Sequence, residues 1–357
     1  MRNIAYEQFK NKMMLSARDK RIPIAGHFEL TPRCNLDCKM CYIHNADSNA
    51  LREKELSTEE WKRIFDEAYE AGMLFASFTG GECLLRHDFK ELYLHLLKKR
   101  VMVSIFTNGT LLTDDYLEFF RKYPPVQVQI SLYGSNEEGY LKVTGHRGFE
   151  KAKNAIDALT AMGIPVHVAI TPSKYMKDDF VNIFRFCKEN KHWCEKTEFL
   201  LAPKREDSDA EDYNLTAEEI VELATERAAL YAPLVPMENP PAPGGTCTEA
   251  PKGTRCSAGN CIAVVGWDGI MHPCAIMPVG TASVREMSYA EAWEKTKQAV
   301  DQVLLGAECV GCPYDKACPK CPSMRLTGLY TGHCNPDVCE LTRKLVEVGA
   351  KKIPQQS

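Results

Sequence analysis

Short apolar segments alternate with longer segments of helical period along the first two-thirds of the chain. Runs rich in β-branched and aromatic residues predict strands. The six runs are GHFEL (26–30), LFASF (74–78), VMVSIF (101–106), VQVQISL (126–132), VHVAI (166–170) and EFLL (198–201). Helical periodicity between them predicts helices over 57–72, 87–99, 113–122, 149–162 and 178–189. Six consecutive β-α units imply parallel strands, in an open doubly wound sheet or in a full or partial barrel.

The helix predicted after the first strand carries the most complete local signals. Ser57 and Glu60 have the spacing of a capping box, and Gly72 marks the end of the segment. The helical period predicts that one face is buried against the sheet. That face consists of Trp61, Ile64, Phe65, Ala68 and Tyr69.

A change in composition divides the chain into regions. The segment PLVPMENPPAPGG (233–245) is rich in proline and glycine, which is typical of a linker. Ten of the 16 cysteines follow this segment. We therefore expect a helical segment over 1–21, a β/α domain over 22–205, a helix and linker over 206–245, and a cysteine-rich domain over 246–357.

Charge and hydropathy narrow the choice of compartment and partner. The formal net charge of −4 gives no electrostatic reason to expect nucleic acid as a partner. No apolar run approaches the ~20 residues that span a bilayer, and the first residues lack the apolar core of a signal peptide. We therefore expect a cytoplasmic protein that does not bind membranes. Because thiols stay reduced in the cytoplasm, 16 cysteines there indicate metal binding and not disulfides.

Three cysteines lie within eight residues directly after the first predicted strand. Cys34, Cys38 and Cys41 could ligate three irons of a [4Fe-4S] cluster and leave the fourth iron open. A zinc site needs a fourth ligand, which His44 could provide. The residues alone therefore leave three interpretations: an iron–sulfur cluster, a zinc ion, or loop cysteines without a metal.

The spacing Cys34-x3-Cys38-x2-Cys41 after a first strand resembles the signature of the radical S-adenosylmethionine (SAM) superfamily. Gly80-Gly81-Glu82, after the second strand, resembles the family's GGE motif, which holds the amino group of SAM. The residue types suit that role, since glycines allow close backbone approach and a carboxylate pairs with an ammonium group.

Further positions match the family at the ends of later strands. Asn108, in FTNGT (106–110), resembles the family's TNG segment near the substrate pocket. Ser131 and Arg147 match the positions that contact the ribose and the carboxylate of SAM in related enzymes. Two positions depart from the common pattern: Met40 stands where an aromatic residue often precedes the third cysteine, and Tyr133 stands where many relatives have aspartate.

The C-terminal cysteines resemble a second pattern, the SPASM extension found on many radical SAM enzymes that modify peptides. The spacing CxxCx5CxxC from Cys309 to Cys321 is too compressed for a zinc ribbon, whose cysteine pairs stand about 15–20 residues apart. The resemblance implies two auxiliary [4Fe-4S] clusters. Their ligands would be Cys256, Cys261, Cys274 and Cys321 for the first, and Cys309, Cys312, Cys318 and Cys339 for the second. Cys334 competes with Cys339, and the cysteines left unassigned are Cys83, Cys187, Cys194 and Cys247.

The resemblance implies a fold and a reaction. The fold is α/β, a partial TIM-like (β/α)6 barrel followed by a small cysteine-rich α+β iron–sulfur domain. The reaction is reductive cleavage of SAM to a 5′-deoxyadenosyl radical, which abstracts hydrogen from a peptide or protein substrate. The electron would come from a flavodoxin- or ferredoxin-type reductant.

Three alternatives to a peptide-maturing enzyme stay open. Ala275 replaces the aspartate that sulfatase-maturing members carry after the third upstream cysteine, which disfavours that activity. The first strand near residue 26 leaves no room for a leader-binding domain, so a separate protein or the barrel would recognise a peptide. The remaining alternatives are a small-molecule radical SAM dehydrogenase and a non-catalytic zinc or iron–sulfur protein.

Overall fold

A single nine-stranded sheet forms the centre of the protein. The computed structural model describes residues 4–43, 49–194, 213–232, 234–237, 253, 256–277, 279–304, 306–318, 321 and 336–353. The strands are β1 (Ala25–Glu29), β2 (Phe75–Thr79), β3 (Met102–Thr107), β4 (Gln127–Ser131), β5 (Val166–Ala169), β6 (Trp193–Cys194), β7 (Ile262–Val265), β8 (Ile270–His272) and β9 (Ala282–Ser283). Strands β1 to β6 are parallel and adjacent in chain order. The predicted α/β class with a parallel sheet is confirmed.

Eleven α-helices connect and flank the strands in the described part of the chain. They are α1 (Ile4–Lys20), α2 (Asn49–Lys54), α3 (Thr58–Glu70), α4 (Phe89–Lys98), α5 (Asp114–Lys122), α6 (Glu137–Thr144), α7 (Phe149–Ala161), α8 (Phe180–Glu189), α9 (Ala217–Ala229), α10 (Tyr289–Val300) and α11 (Pro336–Glu347). The sequence pattern did not predict α2 and α6, which are short. In none of the described helices does an apolar stretch reach the length of a bilayer crossing.

Helix α3 shows how local signals and packing agree. Ser57 and Glu60 form both bonds of the predicted capping box. Four residues of the predicted face are fully buried, whereas Tyr69 lies at its margin and is 41% exposed. Phe65 of this face packs between Phe28 and Phe78 of the sheet, with ring centroids 4.8 Å and 5.5 Å away. Aromatic burial of this kind fixes α3 against the first two strands.

The C-terminal region extends the same sheet. Strand β7 pairs with β1 in parallel, and β8 and β9 continue from it as antiparallel neighbours. The sheet therefore includes strands from both the predicted β/α domain and the predicted cysteine-rich domain. The domain boundaries inferred from composition stay a prediction. The predicted strand at 198–201 lies outside the described residues, and the sixth strand described is β6.

Helix α1 covers the amino-terminal end of the central strands. Ala17 packs in one buried cluster with Ile24, Ala25, Phe75 and Cys261. These residues stand at or next to the beginnings of β1, β2 and β7. The cavity described below lies at the opposite end, where the carboxyl termini of the strands are.

Candidate functional site

A cavity of about 380 Å³ lies at the carboxyl ends of the parallel strands. This edge is where ligands bind in β/α barrels and open α/β sheets. Ile276, from the C-terminal region, also reaches the cavity wall. The other lining residues include Cys34, Cys38, Cys41, Thr79, Gly80, Gly81, Phe106, Asn108, Gln129, Ser131, Tyr133, Ala169 and Thr171.

The three-cysteine loop forms one wall of this cavity. Its backbone is held from the outside by α6: Asp37 N donates to Thr144 O at 2.9 Å, and Lys39 N donates to Val143 O at 3.1 Å. All three predicted thiols line the cavity. The structure therefore brings together the cysteines that the spacing selected.

The thiols lie close enough to influence one another electrostatically. Burial raises the pKa of Cys34 to about 11, although a bond from Leu36 N opposes that shift. Burial also raises the pKa of Cys38 above its usual range, and the charges of Cys41 and Cys34 raise it further. Thiols that oppose each other's ionisation in this way ionise when a cation or cluster is bound between them.

The three thiols fit a [4Fe-4S] cluster. Within the described residues, no group of three or more Cys, His, Asp or Glu side chains converges on a point where one ion would sit. A [4Fe-4S] cluster binds each thiolate through a different iron, so its ligands surround a space. Cys34 already receives bonds from Leu36 N at 3.4 Å and from Asn108 Nδ2 at 3.8 Å. Such donors stabilise a thiolate. His44, the possible zinc ligand, lies outside the described residues.

The two glycines after β2 allow the cysteine loop to cross close by. A Cβ atom on Gly80 would lie 2.4 Å from Thr31 O, and one on Gly81 would lie 2.3 Å from Arg33 O. Gly80 also has φ +129°, which side chains disfavour. Gly81 N donates to Thr31 O at 2.8 Å. The close approach that the sequence predicted is thus made by the protein's own loop, at the cavity wall.

Glu82 is fully buried and engaged with the protein. Its carboxylate accepts bonds from Thr107 Oγ1, from Asn108 N at 2.7 Å and from Leu84 N at 3.1 Å. Burial raises its pKa, and these bonds act in the opposite direction. Glu82 therefore fixes the loop after β3, and its contact with the amino group of SAM stays a prediction.

Of the other three residues predicted to contact SAM, two line the cavity and one does not. Asn108 lines the cavity, and its Nδ2 donates to Asn35 Oδ1 at 2.9 Å. Ser131 ends β4 and lines the cavity, near the hydroxyl of Tyr133. Arg147 is exposed in the turn between α6 and α7, outside the set of described residues that line the cavity. The carboxylate-binding role of Arg147 stays a prediction.

A buried ion-pair network supports the start of the cysteine loop, and the sequence analysis missed it. Arg33 Nε lies 2.6 Å from Glu55 Oε1, which also accepts a bond from Thr31 Oγ1 at 2.6 Å. Arg86 donates to Leu30 O at 3.0 Å, and its Nη2 lies 2.7 Å from Asp88 Oδ2. The charged residues directly after the GGE motif were a possible signal, but nothing in the sequence indicated Glu55.

The ligands predicted for the first auxiliary cluster are divided between two environments. Cys256 and Cys274 pack against a small apolar cluster that includes Ala258 and Met277. Cys261 is fully buried and packs instead beneath α1. Cys321 is half-buried. The shared ligation of one cluster by these four cysteines stays a prediction.

The ligands predicted for the second auxiliary cluster lie on a tight turn and on α11. Cys312 N donates to Cys309 O at 3.4 Å, and Cys318 N donates to Tyr314 O at 2.9 Å. Burial raises the pKa of Tyr314, and the charge of Glu347 at the end of α11 raises it further, so the turn is within electrostatic range of that end of the helix. Cys339 is on α11, and its role stays a prediction; its competitor Cys334 lies outside the described residues.

The cysteines without an assigned ligand role differ in their burial and position. Cys83 is fully buried, and its Sγ lies 3.4 Å from Phe106 O. Cys187 is fully buried on α8, as expected for a small hydrophobic residue. Cys194 belongs to β6, and Cys247 lies outside the described residues.

Comparison with known proteins gives a family and a fold. Residues 28–187 match the profile of the Radical SAM superfamily. The chain is 27% identical over 315 residues to an AdoMet-dependent heme synthase of Methanosarcina barkeri, covering 82% of this chain and 89% of that protein. It is 32% identical over 170 residues to the sporulation killing factor maturation protein SkfB of Bacillus subtilis, covering 47% of this chain and 40% of SkfB.

A solved structure extends the likeness to almost the whole chain. Streptococcus suis SuiB bound to S-adenosylmethionine superposes with a TM-score of 0.66 at 16% identity, covering 95% of this chain and 83% of SuiB. At that identity the likeness concerns the fold alone. The family profile covers the cysteine loop, the two glycines and the ends of β1 to β5. With those elements assembled around one cavity, residues 28–187 form a radical SAM domain.

Proposed function

We propose that this protein uses a [4Fe-4S] cluster on Cys34, Cys38 and Cys41 to cleave SAM and remove hydrogen from a peptide or protein substrate. One observation carries the proposal: the three thiols share a cavity with Gly80 and Gly81 at the carboxyl ends of the strands. When bound, the cluster and SAM supply the one-electron chemistry that breaks a carbon–hydrogen bond.

The chain's own residues would bind and orient these groups and exclude water. Gly80 and Gly81 leave backbone at the cavity wall uncovered by side chains, which suits the polar groups of SAM. Ser131 and Tyr133 present hydroxyls to the cavity from the end of β4. The buried apolar part of the wall includes Leu36 and Met40. An apolar wall keeps water from a reactive site.

The C-terminal cysteines would hold two auxiliary clusters in the sets predicted above. The electrostatic proximity of Tyr314 to Glu347 supports the second set, because it brings the Cys309–Cys318 segment near α11, at a point two turns beyond Cys339. The first set has weaker support, since Cys261 packs apart from Cys256 and Cys274. A flavodoxin- or ferredoxin-type protein would supply electrons.

The peptide substrate is supported by relatives whose names describe peptide chemistry. SkfB is a maturation protein, and SuiB has also been solved with its precursor peptide SuiA. The leader segment of such a peptide would be recognised by a separate protein or by the barrel.

A second candidate substrate is an iron tetrapyrrole. The heme synthase matches 82% of the chain, including part of the cysteine-rich region, whereas SkfB matches 47%. A match over that length favours a similar use of the C-terminal region.

The cofactor part of the proposal is tested by anaerobic reconstitution of the full chain. We expect roughly twelve irons per chain, from three clusters of four, and 5′-deoxyadenosine formation with SAM and dithionite. A variant with Cys34, Cys38 and Cys41 all changed to Ala should keep roughly eight irons and form no 5′-deoxyadenosine. Stoichiometric zinc with little iron in the wild-type protein would contradict the proposal.

The substrate is tested with two probes on the reconstituted enzyme. The first is a set of synthetic peptides encoded by short reading frames next to the gene, and the second is iron-coproporphyrin III. Increased 5′-deoxyadenosine together with a mass change in a peptide supports the peptide substrate. A mass change in the porphyrin alone overturns it in favour of the tetrapyrrole.

A further inference from the structure

Tyr140 carries a buried hydroxyl whose function is unexplained by the fold. The residue lies on α6 and is fully buried. Among the described residues, its Oη has no hydrogen-bond partner. A buried hydroxyl without an acceptor is destabilising, so such groups call for an explanation, which an absent ion or ligand often provides.

Helix α6 connects Tyr140 to the three-cysteine loop. The backbone bonds from Asp37 to Thr144 and from Lys39 to Val143 lie on either side of Cys38. Tyr140 stands one turn before Thr144, whose Oγ1 donates to Tyr140 O at 2.8 Å. The helix that holds the loop in place therefore also carries the unpartnered hydroxyl.

Close packing fixes the tyrosine ring. A Cβ atom on Gly148 would lie 3.1 Å from Cε1 of Tyr140, and one on Gly134 would lie 2.2 Å from Tyr140 N. Gly134 thus lies against the backbone of Tyr140, and Gly148 lies against its ring. The ring cannot swing to solvent without moving that backbone, so the hydroxyl must find any acceptor inside the protein.

The electrostatic surroundings indicate which acceptor is near. Burial raises the pKa of Tyr140, and the next largest causes are the charges of Cys38, Tyr133 and Cys34, in that order. The phenol is thus within electrostatic range of two of the three thiols. Sulfide of a bound cluster is the acceptor that this region would gain on loading.

We propose that Tyr140 Oη donates a hydrogen bond to a sulfide of the cluster held by Cys34, Cys38 and Cys41. The inference rests on the proposed function, because it requires that cluster. A donor to sulfur stabilises the reduced cluster, which is the more negative state, and so makes reduction easier. Tyr140 is a positioning and tuning residue, and it does not touch the substrate.

The test compares cluster-loaded Tyr140→Phe with the wild-type protein and with Tyr93→Phe. Tyr93 is equally buried, but its Oη donates to Tyr123 O at 3.0 Å, between α4 and α5. Potentials are measured by EPR-monitored titration of the signal that changes when SAM is added. We expect a more negative midpoint potential in Tyr140→Phe and about tenfold faster loss of that cluster to a chelator. Tyr93→Phe should match the wild type in both measurements.

Stability of the cluster-free protein provides a second measurement. Tyr140→Phe should unfold at the same or higher urea concentration than the wild type, because no bond is lost. Tyr93→Phe should unfold at lower urea concentration, because it loses a made bond. Equal potentials and equal chelator rates in Tyr140→Phe and wild type would overturn the inference alone. A wild-type protein that forms no SAM-responsive cluster would overturn the proposed function as well.

Discussion

Thr107 Oγ1 lies 2.8 Å from Oε1 of Glu82 and 2.9 Å from Oε2, so one hydroxyl serves both carboxylate oxygens. Asn108 N adds a bond of 2.7 Å to the same carboxylate. Glu82 follows β2, whereas Thr107 ends β3 and Asn108 follows it. The acidic residue of the GGE motif therefore joins two neighbouring strand ends at the edge of the cavity. Glu82 therefore connects these two strand ends through hydrogen bonds within the protein itself.

Glu82→Ala should destabilise the cluster-free protein. The change leaves the donors of Thr107, Asn108 and Leu84 without their acceptor in a buried region. We expect a loss of about 2–4 kcal/mol in the free energy of unfolding, measured by urea denaturation. Glu82→Gln keeps one acceptor oxygen and should lose less. Glu118→Ala, at an exposed position on α5, is the control and should change little. A Glu82→Ala protein as stable as the wild type would limit Glu82 to ligand binding.

Gly81→Ala should disturb the cysteine loop. Its new methyl group would lie 2.3 Å from Arg33 O, so the loop that leads to Cys34 must shift. We expect loss of most of the SAM-responsive cluster after reconstitution, measured by iron content and EPR. The control is Gly163→Ala, where nothing lies within 4 Å but φ is +76°. That change should cost about 1–2 kcal/mol of stability and leave the cluster intact. Normal loading of Gly81→Ala would show that the loop tolerates the displacement.

Asp88 should make stability depend on pH. Burial by itself would raise its pKa, but hydrogen bonds from Arg86 and Thr58 outweigh burial and lower it. A carboxyl with a lowered folded-state pKa contributes stability above its unfolded pKa of about 3.9, and loses it as pH falls through the folded value. Asp88→Asn should therefore cost about 3 kcal/mol at pH 7, with the difference from wild type shrinking below about pH 4.

A matched variant separates this effect from general surface charge. Asp115 forms an ion pair with Lys90 but is 76% exposed. Asp115→Asn should cost less than about 1 kcal/mol at pH 7. If both variants lose equal stability at every pH, the network of Asp88 with Arg86 does not stabilise the protein as its burial indicates.

Tyr133→Phe should weaken binding of SAM or its alignment. The hydroxyl of Tyr133 lies near Ser131 and Thr171, and all three residues line the cavity. Removing it takes a polar group from the part of the cavity wall that Ser131 and Thr171 also line. We expect about 3–10-fold weaker SAM binding to the cluster-loaded protein, measured by calorimetry. Tyr93→Phe is again the control. Unchanged SAM affinity with fewer substrate turnovers would place Tyr133 against the substrate.

Local sequence patterns predicted most of the parallel sheet. Five of the six apolar runs coincide with β1 to β5, because alternation and β-branched residues report burial within a few neighbouring positions. The spacing of Cys34, Cys38 and Cys41 likewise predicted that three thiols share one wall of a cavity, since a short loop keeps its residues together. Helix α6 escaped prediction because only Tyr140, Val143 and Thr144 of its residues are buried.

Tertiary structure decided what the sequence left open, because it joins residues far apart in the chain. The pairing of β7 with β1, the network that links Glu55 to Arg86, and the partners of Glu82 all depend on which strand ends become neighbours. A motif determines residue type and local geometry, but the direction of a buried side chain follows from the packing around it. For this reason the sequence by itself determined the parallel sheet and the thiol loop. Only the folded chain decided that Glu82 turns toward Thr107 and that the buried hydroxyl of Tyr140 on α6 has no partner among the described residues.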